Sequence, residues 1–243
     1  MSAMTPTYDD FAAGYEAGQN QVVYTRLAAD LDTPVSLMLK LTGAAKHAFV
    51  LESVTGGEVR GRYSIIGMKP DVIWQCDGTN SQINRDARFD SEAFEPCAED
   101  PLTALRALIA ESRIDLPADL PQAAAGLFGY LGYDMIRLVE HLPNINPDPL
   151  ELPDAVMIRP SVIAVLDGVK GEVTVVSPAW AGSGLSSRAA YAQAAERVMD
   201  AVRDLERAMP QASRNLGDAS EVSAPVSNFA HADYLAAVET AKD

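Results

Sequence analysis

The sequence predicts an α+β protein: antiparallel β-sheet layers or a sandwich, with helices packed outside. Three observations carry that expectation. Residues 155–166 and 172–176 are the clearest strand-like runs of the chain. The turn-rich Asp167-Gly168-Val169-Lys170-Gly171 joins them, so they pair antiparallel. Asp77-Gly78 is a strong hairpin turn between the apolar run 71–76 and the returning run 81–85. Several other stretches carry helix caps and one apolar side, which needs a sheet or another helix to cover it.

In chain order, residues 8–17 read as a short helix with Phe11 and Tyr15 four apart on its apolar side, stopped by Gly18. Residues 22–27 alternate and read as a strand. Thr33 caps a second helix with Pro34 at its first position, an apolar face of Val35, Met38, Leu39 and Leu41, and an end at Gly43. Phe49-Val50-Leu51 is a short buried strand that ends abruptly in Glu52 and Ser53. Gly56-Gly57 marks a turn, and a second strand, 62–68, is entered through Arg60-Gly61-Arg62. Trp74 alternates with Val72 and Cys76 and is expected in the core.

Residues 86–99 read as an acidic surface loop. Asp100 caps a helix to about Arg113, lined by Leu102, Leu105, Leu108 and Ile109. Gly126, Gly129 and Gly132 recur every third residue, without the spacing of a dinucleotide-binding loop; they suggest a strand under close backbone approach, with room for a bulge. Asp134 is expected to cap a short helix to Glu140, and four prolines between 143 and 153 an extended loop. Pro160 calls for a sheet edge or a bulge. Ser186 or Ser187 caps a long helix with Ala190, Ala194, Val198, Val202 and Leu205 along one side. The expected organisation is a domain over 1–208, a polar linker over 209–226, and a helix over 227–243 capped by Asn228, with Tyr234, Leu235, Val238 and Ala241 as its apolar face.

With 34 acidic against 19 basic residues the formal charge is −15, which argues against nucleic acid and anionic membranes as partners. Cys76 and Cys97 form no metal or disulfide pattern and are read as free thiols. The acidic start is unlike a signal peptide and no apolar run is long enough to span a bilayer, so the expected location is cytoplasmic. His47, His141 and His231 are scattered, and no carboxylate cluster has metal-ligand spacing; no catalytic or metal residue is assigned.

The informative chemistry lies at the end of the 49–68 hairpin. There a carboxylate, a hydroxyl and two guanidinium groups gather, a set suited to an amphoteric ligand. A surface Glu–Arg ion pair beside a turn would use the same residues.

Leu51-Glu52-Ser53, followed by Gly61-Arg62-Tyr63-Ser64-Ile65-Ile66-Gly67, resembles the amino-terminal signature of anthranilate synthase component I. In order along the chain, Ala125-Gly126-Leu127-Phe128-Gly129-Tyr130-Leu131-Gly132-Tyr133-Asp134, Glu140-His141-Leu142-Pro143, Leu152-Pro153-Asp154 and the stretch 228–242 are similar to further pieces of that family. The resemblance covers nearly the whole chain. It implies an enzyme that turns chorismate and ammonia into anthranilate and pyruvate with Mg2+, beside a glutamine amidotransferase subunit, component II. It further implies that the magnesium ligands and acid–base groups lie in a carboxyl-terminal half beyond this sequence. The chain would then be inactive alone, and 227–243 would be the first helix of a truncated chorismate-binding domain. The present segment would supply part of an L-tryptophan feedback pocket, with Glu52, Ser53 and Arg62 as its contacts and Leu51, Ile65 or Ile66 as its apolar wall. Arg60 competes with Arg62 for the cationic role. Aminodeoxychorismate synthase component I shares much of this pattern, and a self-contained amino-acid-binding module is the reading of a different class.

Overall fold

A computed structural model describes residues 3–43, 45–52, 61–143, 148, 150–209 and 225–242. The chain clusters into two units, Met1–Pro210 and Gln211–Asp243. Among the described residues the first carries eight strands in one antiparallel sheet: β1 (Gln21–Ala28), β2 (Phe49–Leu51), β3 (Tyr63–Asp77), β4 (Asn80–Asn84), β5 (Glu95–Pro96), β6 (Phe128–Leu131), β7 (Ala155–Asp167) and β8 (Glu172–Ala179). Its helices are α1 (Tyr8–Glu16), α2 (Pro34–Thr42), α3 (Pro101–Glu111) and α4 (Ser187–Leu205). The α+β class and the antiparallel pairing agree with expectation; the two facing sheets of a sandwich give way to a single sheet.

The reason is the length of two strands. The runs 62–68 and 71–76, read as separate strands, form the single strand β3, which pairs with β7 along nearly its whole length. Outer strands flank only half of this long pair each. β8 and then β1 extend it beside the carboxyl-terminal part of β7, and β2 pairs with the start of β3. At the other end β6 pairs with the start of β7, while β4 and the two-residue β5, inside the expected loop 86–99, follow the end of β3.

Between the two halves the register shifts by one residue, from Pro70 opposite Pro160 to Val72 opposite Arg159, with Asp71 as the extra residue. The bulge that Pro160 called for is there, in a central strand rather than at an edge. Successive side chains of a strand alternate between faces, so one extra residue exchanges them. Before the bulge, Ile66 and Met68 pack with Val162, Ala164 and Leu166 against Leu37 and Leu41 of α2 and Val198, Ala201 and Leu205 of α4. After it, Val72, Trp74 and Cys76 pack with Ala155 against Leu105 and Leu108 of α3. Along β7, which has no inserted residue, Ala155 and Ile163 share a parity that Val162 and Ala164 do not. Trp74, eight residues after Ile66, therefore lies on the opposite face from it. It is fully buried, as expected.

Local chemistry places the helices. Thr33 and Ser36 form a reciprocal capping box at α2, Asp100 accepts from the amides of Leu102 and Thr103 at α3, and Ser186 accepts from Ala189 at α4. On α2 the buried residues are Leu37 and Leu41; Val35 and Leu39, expected inward, are exposed. Phe11 and Tyr15 of α1 stack on each other and pack on Val23, Ala179 and Ala190. The turn after β6 is a 3-10 helix, Tyr133–Leu138, that starts at Gly132 with no side-chain cap; Asp134 pairs instead with Arg137. In the second unit, α5 (His231–Lys242) has no buried residue, and the expected face of Tyr234, Leu235, Val238 and Ala241 is not buried within that unit. Most of the expected linker falls outside the described residues. Among the described residues no helix is long and apolar enough to cross a membrane.

Candidate functional site

The site begins where β2 stops. Phe49, Val50 and Leu51 lie opposite Gly67, Ile66 and Ile65 of β3. Directly opposed residues share a face, so Leu51 and Ile65 form one apolar surface. Tyr63, two residues before Ile65, packs with it in the cluster that holds Ile163, Val165 and Phe128. Leu51 is 50% exposed and Glu52, the next residue, is exposed. An accessible apolar wall thus stands beside a carboxylate. Ile66 does not belong to this wall, because it points to the opposite face and is buried with α2 and α4.

Three pairs alone would hold β2 weakly, and an aromatic contact supplements them. The Phe49 ring lies over Gly67, where an added Cβ would overlap it, and stacks on Phe128 of β6 with centroids 4.7 Å apart. β2 and β6 flank opposite sides of the β3–β7 pair, so this stack marks how far the sheet curls. Gly129, beside Phe128, meets the same demand: a Cβ there would overlap the Val156 carbonyl of β7. The close approach expected of this glycine run is real, and among the described residues β6 carries no register shift.

Arg62 stands at the other edge of β3. Its Nε donates to Asp167 Oδ1 at 2.9 Å and its Nη2 to Asp167 Oδ2 at 2.6 Å. The Gly168 amide donates to the Arg62 carbonyl at 2.9 Å, and the guanidinium lies over the Tyr63 ring at 5.0 Å. Asp167 also accepts from the amides of Val169 and Lys170 in the β7–β8 turn. The Arg62 hydrogen bonds first, then these amides, hold its carboxyl below the usual range against the opposing effect of burial. Because β2 lines one edge of β3 and β7 the other, the fork with Asp167 turns Arg62 to the β7 side. Ser53, Gly56, Gly57 and Arg60 lie outside the described residues. Sequence reading missed Asp167, whose one signal is an acid between a long apolar strand and a glycine.

Two further clefts flank the sheet. One, of about 480 Å³, is lined by Asp71, Arg85, Glu111, Arg159 and Trp180. Arg159 forks Asp71 at 2.8 and 3.2 Å and reaches Glu111 at 2.9 Å, Arg85 forks Glu111 at 2.8 and 3.0 Å, and the Trp180 indole donates to Asp71 at 2.8 Å. Burial raises the Glu111 pKa, but Arg85 and Arg159 outweigh it and leave the group below its ordinary value. Arg159 and Arg85 meet Asp71 and Glu111, and this network ties the bulge together. The other cleft, about 520 Å³, is mostly apolar, with Ile109, Leu116, Leu127, Leu131 and Met157 in its wall beside Arg113, Asp115 and Gln122. Among the described residues no three His, Cys, Asp or Glu side chains come together to hold a metal ion.

Fold and site define an α+β domain in which a curled antiparallel sheet presents a polar strand exit beside an apolar wall. No protein-family model matches the chain. It is 71% identical over 237 residues to anthranilate synthase component 1 of Cereibacter sphaeroides, a match covering 98% of this chain and 47% of that protein. To the component 1 of Synechocystis sp. it is 32% identical over 211 residues, 85% of this chain and 40% of that one. The chain belongs to the anthranilate synthase component I family over the residues matched. It spans about half the length of the curated relatives it matches. The crystal structure of anthranilate synthase component I from Streptococcus pneumoniae TIGR4 aligns with a TM-score of 0.47 and 24% identity, over 73% of this chain and 36% of that one.

Proposed function

We propose that this chain supplies the tryptophan-sensing part of an anthranilate synthase component I of its relatives' length, a lyase of tryptophan biosynthesis. The observation that carries the reading is the exit of β2, where the carboxylate of Glu52 follows a half-exposed Leu51 paired with Ile65. An α-amino acid with an indole side chain needs an anion for its ammonium, a cation for its carboxylate and an apolar wall for its ring. Glu52 is the anion, Leu51 and Ile65 the wall, Ser53 the orienting hydroxyl and Arg62 the cation. Asp167 engages two of the five N–H donors of that guanidinium.

The whole enzyme would convert chorismate and ammonia, the latter delivered by a glutamine amidotransferase subunit, to anthranilate and pyruvate in the cytoplasm. Its Mg2+ would be held by residues outside this chain. This segment is proposed to act on the rate through tryptophan and not in the reaction itself.

The test is desensitisation. In a polypeptide of the relatives' length, Ser53→Ala removes one orienting hydrogen bond and should raise the half-inhibitory tryptophan concentration about threefold to tenfold. Ser53→Phe should raise it further, because the ring would fill the pocket. Equal sensitivity in wild type and both variants, all folded, removes Ser53 from the site.

A further inference from the structure

We propose that the cleft between the end of α3 and β6 binds a free α-amino acid with a large apolar side chain. This site is separate from the exit of β2 and uses none of its residues. The cleft holds about 520 Å³, within the range of small-molecule sites. It opens where two apolar clusters meet: Leu127 and Met157 pack with Leu105 and Trp74, and Ile114 and Leu116 with Leu120 and Val165. Ile109 and Leu131, which line it, are 46% and 54% exposed, so an apolar side chain would cover surface that now meets water.

The polar lining sets the class of ligand. Arg113 and Asp115 both line the cleft. Among the described residues neither makes an ion pair, with the other or with any third charge. Glu111, just before them, is by contrast held by Arg85 and Arg159. Two residues of chain span at most about 7 Å, so the guanidinium and the carboxylate stand close enough to flank one zwitterionic head group. A lone anion would use Arg113 and leave Asp115 unanswered; a lone cation would do the reverse. The Gln122 carboxamide, also in the lining, can donate to the ligand's carboxylate or accept from its ammonium. The backbone that carries these groups is fixed before a ligand arrives. Asn20 Nδ2 donates to the Glu111 and Arg113 carbonyls at 3.3 and 2.8 Å, and Asn20 Oδ1 accepts the Ala181 amide at 2.9 Å.

Calorimetric titration of the long polypeptide with L-phenylalanine tests this. Binding is expected in the wild type and, undiminished, in Glu52→Gln, which alters only the strand exit. Arg113→Gln and Asp115→Asn, both at exposed positions, should each weaken it about threefold to tenfold. Ile109→Glu puts a carboxylate into the apolar wall and should abolish it. Phenethylamine lacks the carboxylate and 3-phenylpropionate lacks the ammonium, so each should bind more weakly than the amino acid by a similar factor. No binding to the folded wild type overturns the proposal, and so does binding that both charge variants leave unchanged. If 3-phenylpropionate binds as tightly as L-phenylalanine, Asp115 has no part and the amino-acid class is wrong. Binding lost in Glu52→Gln but kept in Ile109→Glu would belong to the exit of β2, and this cleft would then hold nothing.

Discussion

Two arginine–aspartate forks brace the long β3–β7 pair, one at its middle and one at its end. Arg159 and Asp71 meet at the bulge with side chains 8% and 18% exposed, and Glu111 and Trp180 complete their hydrogen bonding. Arg62 and Asp167 meet at the strand ends, 26% and 12% exposed, where Asp167 also accepts two turn amides. The pairing is the same, but the surroundings differ. In the first, three chain segments converge on one arginine beneath an indole ring, 4.4 Å from its centroid. Removing that arginine strands the Asp71 carboxylate, which keeps only the Trp180 indole, whereas Glu111 keeps Arg85. In the second, the arginine is about a quarter exposed. A fork of the first kind holds a fold together, whereas one of the second kind can be spared for holding a side chain in place.

That contrast can be broken by mutation. Arg159→Ala should cost about 3–5 kcal/mol of folding stability, because it leaves Asp71 without its guanidinium partner in a largely buried place. Urea unfolding measures it; a loss under 1 kcal/mol would mean that water enters the bulge and that the two forks are equivalent. Arg62→Ala should cost less, about 1–2 kcal/mol, as expected for a partly solvated charge-assisted pair. An equal or larger loss than at Arg159 would reverse the ranking.

The smallest expected effect sharpens the comparison through pH. The folded-state pKa of Asp167 is depressed, chiefly by Arg62, so its stabilising contribution is present above the unfolded carboxylate value of about 4 and is lost as pH falls through the folded value. The stability gap between wild type and Asp167→Asn should therefore be full at neutral pH and narrow in acid below that range. A gap unchanged at pH 3 would show that the carboxylate's charge is not what the pair uses.

Much of the molecule was legible residue by residue. The caps at Thr33, Asp100 and Ser186, the Asp77-Gly78 turn and the β7–β8 hairpin all rest on local backbone chemistry, which a few neighbouring residues specify. The hairpin of β2 and β3 was legible for the same reason. Reading Asp134 as a helix cap failed because its side chain takes Arg137 instead. The inward face assigned to α2 failed because apolar periodicity does not say which of several apolar residues meets the sheet: Leu37 does, and Val35 does not.

By itself the sequence determined the antiparallel α+β class, the polar exit of β2 at Glu52, and the resemblance that led to the family. Those depend on residue order and local propensity. Only the tertiary structure decided that one sheet would replace two, that Asp71 would exchange the faces of β3, and that Ile65 rather than Ile66 would stand beside Leu51. It alone brought Asp167 to Arg62 and Phe128 to Phe49, across 105 and 79 residues. Such partners are chosen by strand register and sheet curl, which arise when distant segments pack together and leave little trace in the local sequence.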